Sequence, residues 1–388
     1  MTGFDESNIV KETIEQADRL VRQAYSACIE EGQLSPGIEL QGSIRLTRAL
    51  GLGDLACSYA IRAAKQLGEQ PDSAAQAICS RFSLDGSYFS SAEAAANGFI
   101  NLTLSNKWYA AVLARIEGAG SGFGYTGEGR GKSIVLNFIP EGTGAMTIND
   151  VRGLVLRDVT AGVMERAGYE VYRKAGQCKA ADFDLITVHA AGTTLTAPSA
   201  GEGRLKQLRY APVQLLKGGR PVMKDYSVSE LLNGIQDCAE RFFLSAHSNK
   251  PAVLDLDLIM RSDGANPLYC IRYAHARIRS IIKGLMAEGY EPPAASDTDI
   301  SLLSTRTDKE LIKLLALFPE EIRLASLELE PSRLCRYLSE LAAGFFRFYK
   351  TERIRGTNAG LTEARLKLIE SIKIIIENGL DILGIPIL

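Results

Sequence analysis

Apolar residues recur at helical spacing from Ile9 to Ile29, and the same spacing predicts helices over about 54–67 and 73–81. The run Phe99-Ile100-Asn101-Leu102-Thr103-Leu104 alternates instead, which predicts a strand with one buried face. Farther along, the period switches back and forth. Ser133–Ile139 is an apolar run suited to a buried strand, 148–167 is helical, and 170–173, 184–189 and 213–217 read as short strands. Strand, helix and strand in succession imply a parallel sheet with crossover connections, a nucleotide-binding type of α/β domain of very small size. From Val228 the pattern is helical to the end. Asn266-Pro267 offers an N-cap followed by proline at the first helical position, opening a helix to about Ala287. After a loop at 291–299, helices are expected at about 307–318, 319–328, 331–355 and 361–379, with Gly379 and Pro386 as the final stop signals.

These patterns divide the chain into an α+β domain at 1–115, a linker at 116–132, a reduced Rossmann-like domain at 133–227 and a helical domain at 228–388. The linker carries seven glycines, at 118, 120, 122, 124, 127, 129 and 131, which predicts flexibility. Two phosphate-loop look-alikes lie there, Gly122–Gly127 and Gly131-Lys132-Ser133. Phosphate loops follow a strand and open a helix, so that amides and helix dipole meet the anion. Here the glycines precede the strand, and neither look-alike carries that chemistry.

Composition narrows the picture. At 388 residues, 46% hydrophobic and 23% charged, the chain is an ordinary globular one with room for two or three cores. A net charge of −2 means that any nucleic-acid surface must be local. The seven cysteines and three histidines are dispersed, which argues against a disulfide framework and a zinc site and predicts mostly buried thiols. No cofactor and no metal are implied. The acidic N-terminus is no signal peptide, and no apolar run suits a membrane helix, so a cytoplasmic location without membrane contact is expected.

Local motifs then add a family resemblance. GDLACSYAIRAAKQLG (53–68) and NGFINLTLS (97–105) resemble HGDYATNVAMQLAK and PGFINFRLS of bacterial arginyl-tRNA synthetase. NPLYCIRYAHARI (266–278) is similar to that family's NPVYYVQYAHARI, and 329–349 and 378–386 resemble its helical anticodon-binding bundle, the DALR domain. The resemblance implies an N-terminal α+β domain, a reduced Rossmann-like parallel sheet and a C-terminal helical anticodon-binding bundle. The fold class is thus multidomain α/β plus all-α.

The middle departs from the family. IVLNFIPEGTGAMTINDVRG (134–153) resembles the first strand and ATP signature of class I synthetases, but Thr147 and Asp150 stand where the HxGH histidines belong, and Asn149 replaces the glycine. Of the KMSKS signature only Lys224 is a possible remnant, and NDAGRQ shrinks to Ala175-Gly176-Gln177. Removing one preorganised transition-state donor costs roughly 3–4 kcal/mol, so losing both histidines and the mobile lysines predicts a silent active site. These departures point to a truncated paralogue without catalysis, a pseudoenzyme.

Two stretches interleave rings with cations, as proteins that stack single-stranded bases do. The first holds Tyr269, Arg272, Tyr273, Arg277 and Arg279, with no acid from 269 to 287; the second holds Arg347, Tyr349, Lys350 and Arg353. The competing reading places the rings in the core and the cations on a solvated face. His275 reads as a buried, hydrogen-bonded histidine. In the N-terminal domain, which meets the tRNA elbow in the family, Arg45, Arg48, Arg62 and Lys65 are candidates. The favoured function is a non-catalytic binder of arginine-type tRNA, an adaptor or regulator with a tRNA-modifying enzyme or a full-length synthetase as partner, and no DNA. The alternatives are a ligase-related enzyme with a rebuilt ATP and arginine site, and a protein-interaction module of a synthetase complex.

Overall fold

The computed structural model describes residues 8–36, 40, 42–47, 53–68, 70–140, 144–173, 182–189, 205–222, 228, 235, 238–245 and 250–387. Two compact units result, one of residues 9–114 and one of residues 1–8 with 115–388.

In the first unit, helix α1 (Ile9–Glu30) buries Val10, Thr13, Ala17, Val21, Ala24 and Cys28, the three-and-four spacing of its sequence. Thr13 accepts a hydrogen bond from the indole of fully buried Trp108 at 2.7 Å, which satisfies the one polar atom of that ring. Against this helix side lies an antiparallel sheet of β1 (Ile44–Leu46), β2 (Leu55–Cys57), β3 (Phe89–Ala95) and β4 (Phe99–Leu104), in the order β1-β2-β4-β3. Helices α2 (Tyr59–Leu67), α3 (Pro71–Cys79) and α4 (Asn106–Ala119) complete the element list.

The helix expected over 54–67 is therefore two elements. Leu55 and Cys57 are both buried and pair with Leu102 and Ile100, so sheet pairing claims the first turn and the helix starts at Tyr59. Strand β3, Ser- and Ala-rich, had no sequence signal of its own; six pairings to β4 override its weak β-propensity.

The second unit opens with the glycine-rich stretch, and the flexible linker expected there is folded. α4 runs into it as far as Ala119, Phe123 stacks on Phe318 with centroids 6.3 Å apart, and Asn378 donates to the carbonyls of Gly120 and Phe123. Gly124 has φ of 100°, and a β-carbon there would meet the Phe318 ring at 2.6 Å. Glycine serves close approach here rather than mobility.

A Rossmann-like parallel sheet follows. β5 (Ser133–Phe138), α5 (Ile148–Arg166), β6 (Glu170–Tyr172), β7 (Phe183–His189) and β8 (Leu205–Tyr210) give the strand order β6-β5-β7-β8, every pair parallel. Its core is Ile134, Leu136, Leu156, Met164, Leu185 and Tyr210. β9 (Val213–Lys217), expected beside these strands, instead forms a second sheet with β10 (Arg220–Pro221) and β11 (Ala252–Asp255), in the order β10-β9-β11. β11 also interrupts the stretch expected to be wholly helical; Ala252 and Leu254 are buried while Val253 is exposed, an alternation too short to stand out among helices.

Helices α6 (Ala239–Ser245) and α7 (Leu256–Met260) precede the bundle of α8 (Pro267–Ala287), α9 (Arg306–Ala316), α10 (Phe318–Glu328), α11 (Ser332–Thr351) and α12 (Ala359–Leu383). Gly379 does not end α12. It lies inside the helix, where a β-carbon would press Leu338 at 2.6 Å, and the stop is Gly384 with φ of 65°. Of the cysteines, expected to be mostly buried, Cys28, Cys57 and Cys335 are buried, Cys79 and Cys270 half-buried and Cys238 exposed, while Cys178 lies outside the described residues.

Candidate nucleic-acid interface

Asn266 starts α8 by accepting from the Tyr269 amide at 3.1 Å, and its own amide donates to the carbonyls of Ile259 and Arg261. One turn apart, Tyr269 and Tyr273 stack with centroids 5.8 Å apart and planes at 9°. Tyr273 then stacks on Phe346 of α11 at 5.8 Å and 20°. Phe346 leans on buried Phe345, which stacks on Tyr349. Arg277 closes the row, lying over the Tyr349 ring at 5.1 Å and donating to its hydroxyl. The result is a ladder of rings across two helices. Tyr273 is 48% exposed, which decides against a purely core role for it.

A cavity of about 370 Å³ adjoins the ladder, walled by Met260, Leu268, Tyr269, Tyr273, Leu380 and Ile387 and edged by Arg261 and Arg272. Met260, Tyr273 and Ile387 make an exposed apolar rim. Behind it, buried His275 bonds Glu377 at 2.8 Å, and that bond, with Lys373 nearby, holds the Glu377 carboxyl below the usual range.

The cations sort into two groups. Arg272 is half-buried and donates to the Pro386 carbonyl, and Arg277 is committed to Tyr349. Arg279, Arg347, Lys350 and Arg353 are exposed, and among the described residues none of their side chains has an ion-pair partner. Arg355, also exposed, pairs with Glu288 at 3.1 Å.

Arg45 on β1 and Arg62 and Lys65 on α2 are exposed in the first unit; Arg48 lies outside the described residues, as does Lys224. Arg62 and Lys65 are three residues apart and share a face of α2.

The start of α5 is capped by its own side chains. Thr147 is the N-cap; its hydroxyl accepts from the Asp150 amide at 3.2 Å, and the Asp150 carboxylate accepts from the Thr147 amide and hydroxyl, both at 2.8 Å. Asp150 is 3% exposed. Asn149 accepts from the Val213 amide at 2.8 Å and so ties α5 to β9. Sequence reasoning missed Arg152, fully buried one turn on. It donates to the carbonyls of Ala211, Pro212 and Lys250, and burial pushes its guanidinium down to about 10.

A cleft of about 520 Å³ holds Arg157, Arg166, Arg173 and Arg241, yet Asp158, Asp381, Glu165 and the Leu383 carbonyl already engage them in that order. Among the described residues no group of His, Cys, Asp and Glu is placed to hold a metal ion, and no helix is long and apolar enough to cross a membrane.

Residues 271–388 match the DALR anticodon binding domain and residues 9–104 match the arginyl tRNA synthetase N terminal domain. An arginine–tRNA ligase of Acetivibrio thermocellus is 23% identical over 557 aligned positions, covering 98% of this chain and 99% of the relative. One of Caldanaerobacter subterraneus is 36% identical over 189 residues, 47% of this chain but only 34% of that protein. The arginyl-tRNA synthetase of Thermus thermophilus superposes with a TM-score of 0.66 at 15% identity, over 95% of this chain and 99% of that one. That of Plasmodium falciparum superposes at 0.68 and 11%, over 97% and 98%. The fold, a mixed α/β body with a helical C-terminal region, is similar to that of these two proteins. The N-terminal domain is thus that of the arginyl-tRNA synthetase family, and the C-terminal bundle is a DALR anticodon-binding domain. Coverage of nearly the whole Acetivibrio ligase gives no support to the expected truncated paralogue.

Proposed function

We propose that this chain is a non-catalytic, tRNA-binding member of that family, an adaptor or regulator acting on arginine-type tRNA. The observation that carries the reading is the half-exposed ladder Tyr269–Tyr273–Phe346, flanked by Arg279, Arg347, Lys350 and Arg353 with no ion-pair partner among the described residues. Rings stack bases and arginines neutralise phosphates; each stacked base is worth roughly 1–3 kcal/mol. The absence of catalysis is supported by the α5 start, where Thr147, Asn149 and Asp150 spend their polar atoms on the fold. A tRNA-modifying enzyme or a full-length synthetase is the partner class such an adaptor would serve.

One observation favours a second reading. The alignment covers both chains almost from end to end, as an arginine–tRNA ligase with a rebuilt ATP and arginine site would.

Two measurements separate these. Mobility shift with total tRNA, followed by sequencing of the bound fraction, should recover arginine-type tRNA, and Arg347→Ala with Arg353→Ala should lower the log–log salt slope by roughly 0.7–0.9 per lost contact. Purified protein should give no arginine-dependent pyrophosphate exchange above blank. Robust exchange that disappears in an Asp150→Ala or Lys224→Ala variant would establish the ligase reading instead.

A further inference from the structure

Between α11 and α12 the chain makes a short connection, and it is the connection that presents Arg353 and Arg355 to solvent. Glu352 caps α11 in an extended conformation, Ile354 is 6% exposed, and the Gly356 amide donates to Thr362 at 3.0 Å. Under this connection lies Arg365 of α12, itself 5% exposed. Its guanidinium donates to the Arg353 carbonyl and to the Glu352 carboxylate, both at 2.6 Å, and lies 3.8 Å from the Asp308 carboxylate. The other Glu352 oxygen accepts from Thr307 at 2.9 Å, and Asp308 is fixed by its capping box with Thr305. The Phe348 ring lies beneath the guanidinium at 5.8 Å.

A buried charge pair is a weak device for stability, since desolvation offsets most of its attraction. What a guanidinium does well is direction. Its planar fork fixes two acceptors at once, which an ammonium cannot do. Here one of those acceptors is the backbone of a residue whose own side chain is an exposed cation with no ion-pair partner among the described residues.

We propose that Arg365 is a positioning residue for RNA binding. From inside the bundle it holds the 352–356 connection so that Arg353 projects as a phosphate contact. This rests on the reading of the bundle as a tRNA-binding surface. Arg355 has a lesser part, because Glu288 already holds it across a cavity of about 440 Å³ beside the connection.

The test is tRNA binding by filter retention across a salt series, with folding checked by circular dichroism and by the urea midpoint. Arg365→Lys keeps the charge and loses the fork. It should weaken binding several-fold and lower the log–log salt slope by roughly 0.7–0.9, the loss of one phosphate contact, as Arg353→Ala does. Because both changes remove the same contact, the double variant should bind no worse than either single one. Losses that multiply, or an Arg365→Lys protein that binds like the parent, overturn the proposal. Glu352→Gln gives an independent reading by its sign and serves where Arg365→Lys does not fold. It removes a negative charge beside the contact, so a connection that merely supplied charge would bind tRNA more tightly, whereas lost positioning weakens binding. Tighter binding by Glu352→Gln therefore sinks the idea. A parent protein that binds no tRNA removes the reading beneath it, an outcome distinct from normal parental binding with unaffected variants.

Discussion

Tyr273 was ambiguous in the sequence because its i, i+4 partner Tyr269 suits a core face as well as a stacking platform. Its 48% exposure is more than a core ring shows. Tyr273→Ala should cost about 1–3 kcal/mol of tRNA affinity with little change in salt slope, and should move the urea midpoint only slightly. A large midpoint shift with unchanged affinity of the folded protein would return the ring to the core. The arginines were legible as a cluster, but which of them are committed was not, because their partners are remote: Tyr349 for Arg277, Pro386 for Arg272 and Glu288 for Arg355. Glu320 gives a prediction of another kind. Burial alone would raise its carboxyl, yet hydrogen bonds from Arg323 and Asn8, with the charge of Arg333 nearby, hold it below the usual glutamate range. A depressed carboxylate contributes stability that is present above the usual range and is lost as pH falls through its lower folded value. Urea titrations of Glu320→Gln and parent should therefore differ most near neutrality and converge in acid; a constant gap would refute the linkage.

Among elements, the long helices and the strands at 170–173, 184–189 and 213–217 were readable, and the shortest strands were not. α1, α8, α11 and α12 carry several turns of periodic apolar residues, whereas β2 and β11 have three and four residues and are defined by partners far along the chain. Glycine misled twice, since composition distinguishes neither a loose segment nor a helix end from a place where two elements nearly touch. Two glycines inside helices test this. At Gly284 of α8 a β-carbon meets nothing within 4 Å, so Gly284→Ala should stabilise by about 0.5–1 kcal/mol through helix propensity alone. At Gly162 of α5 the same atom would lie 2.7 Å from the Ile382 carbonyl oxygen, where the backbone of α12 must shift. Gly162→Ala should lose about 1–3 kcal/mol despite its better propensity. Equal midpoints for the two variants would mean that the α5–α12 contact is not close-packed.

At the scale of the molecule, alternating periodicity foretold a parallel sheet, and the ordered motifs foretold the flanking domains. Strand order, the separate three-stranded sheet and the placement of β8 depend on pairings that no local pattern encodes. A ligand that binds only the native state raises its melting temperature by mass action, by about 2.7 kcal/mol at a hundred times its dissociation constant. Arginine-type tRNA at such an excess should therefore raise the melting temperature, while millimolar Mg-ATP should leave it unchanged. A rise of several degrees with Mg-ATP would show a nucleotide pocket and favour the ligase reading.

The capping box at the start of α5 can be seen as a competition already decided. Helix starts attract anions because their first amides are unsatisfied and the dipole is positive there. In this chain Asp150 supplies that anion from within, at a distance of three residues and with its carboxylate nearly excluded from water. A tethered group faces its site at an effective concentration that short linkers can bring to millimolar or more. A phosphate arriving from solution would meet that charge on the way. One side chain thus caps the helix and places a negative charge where an incoming anion would approach.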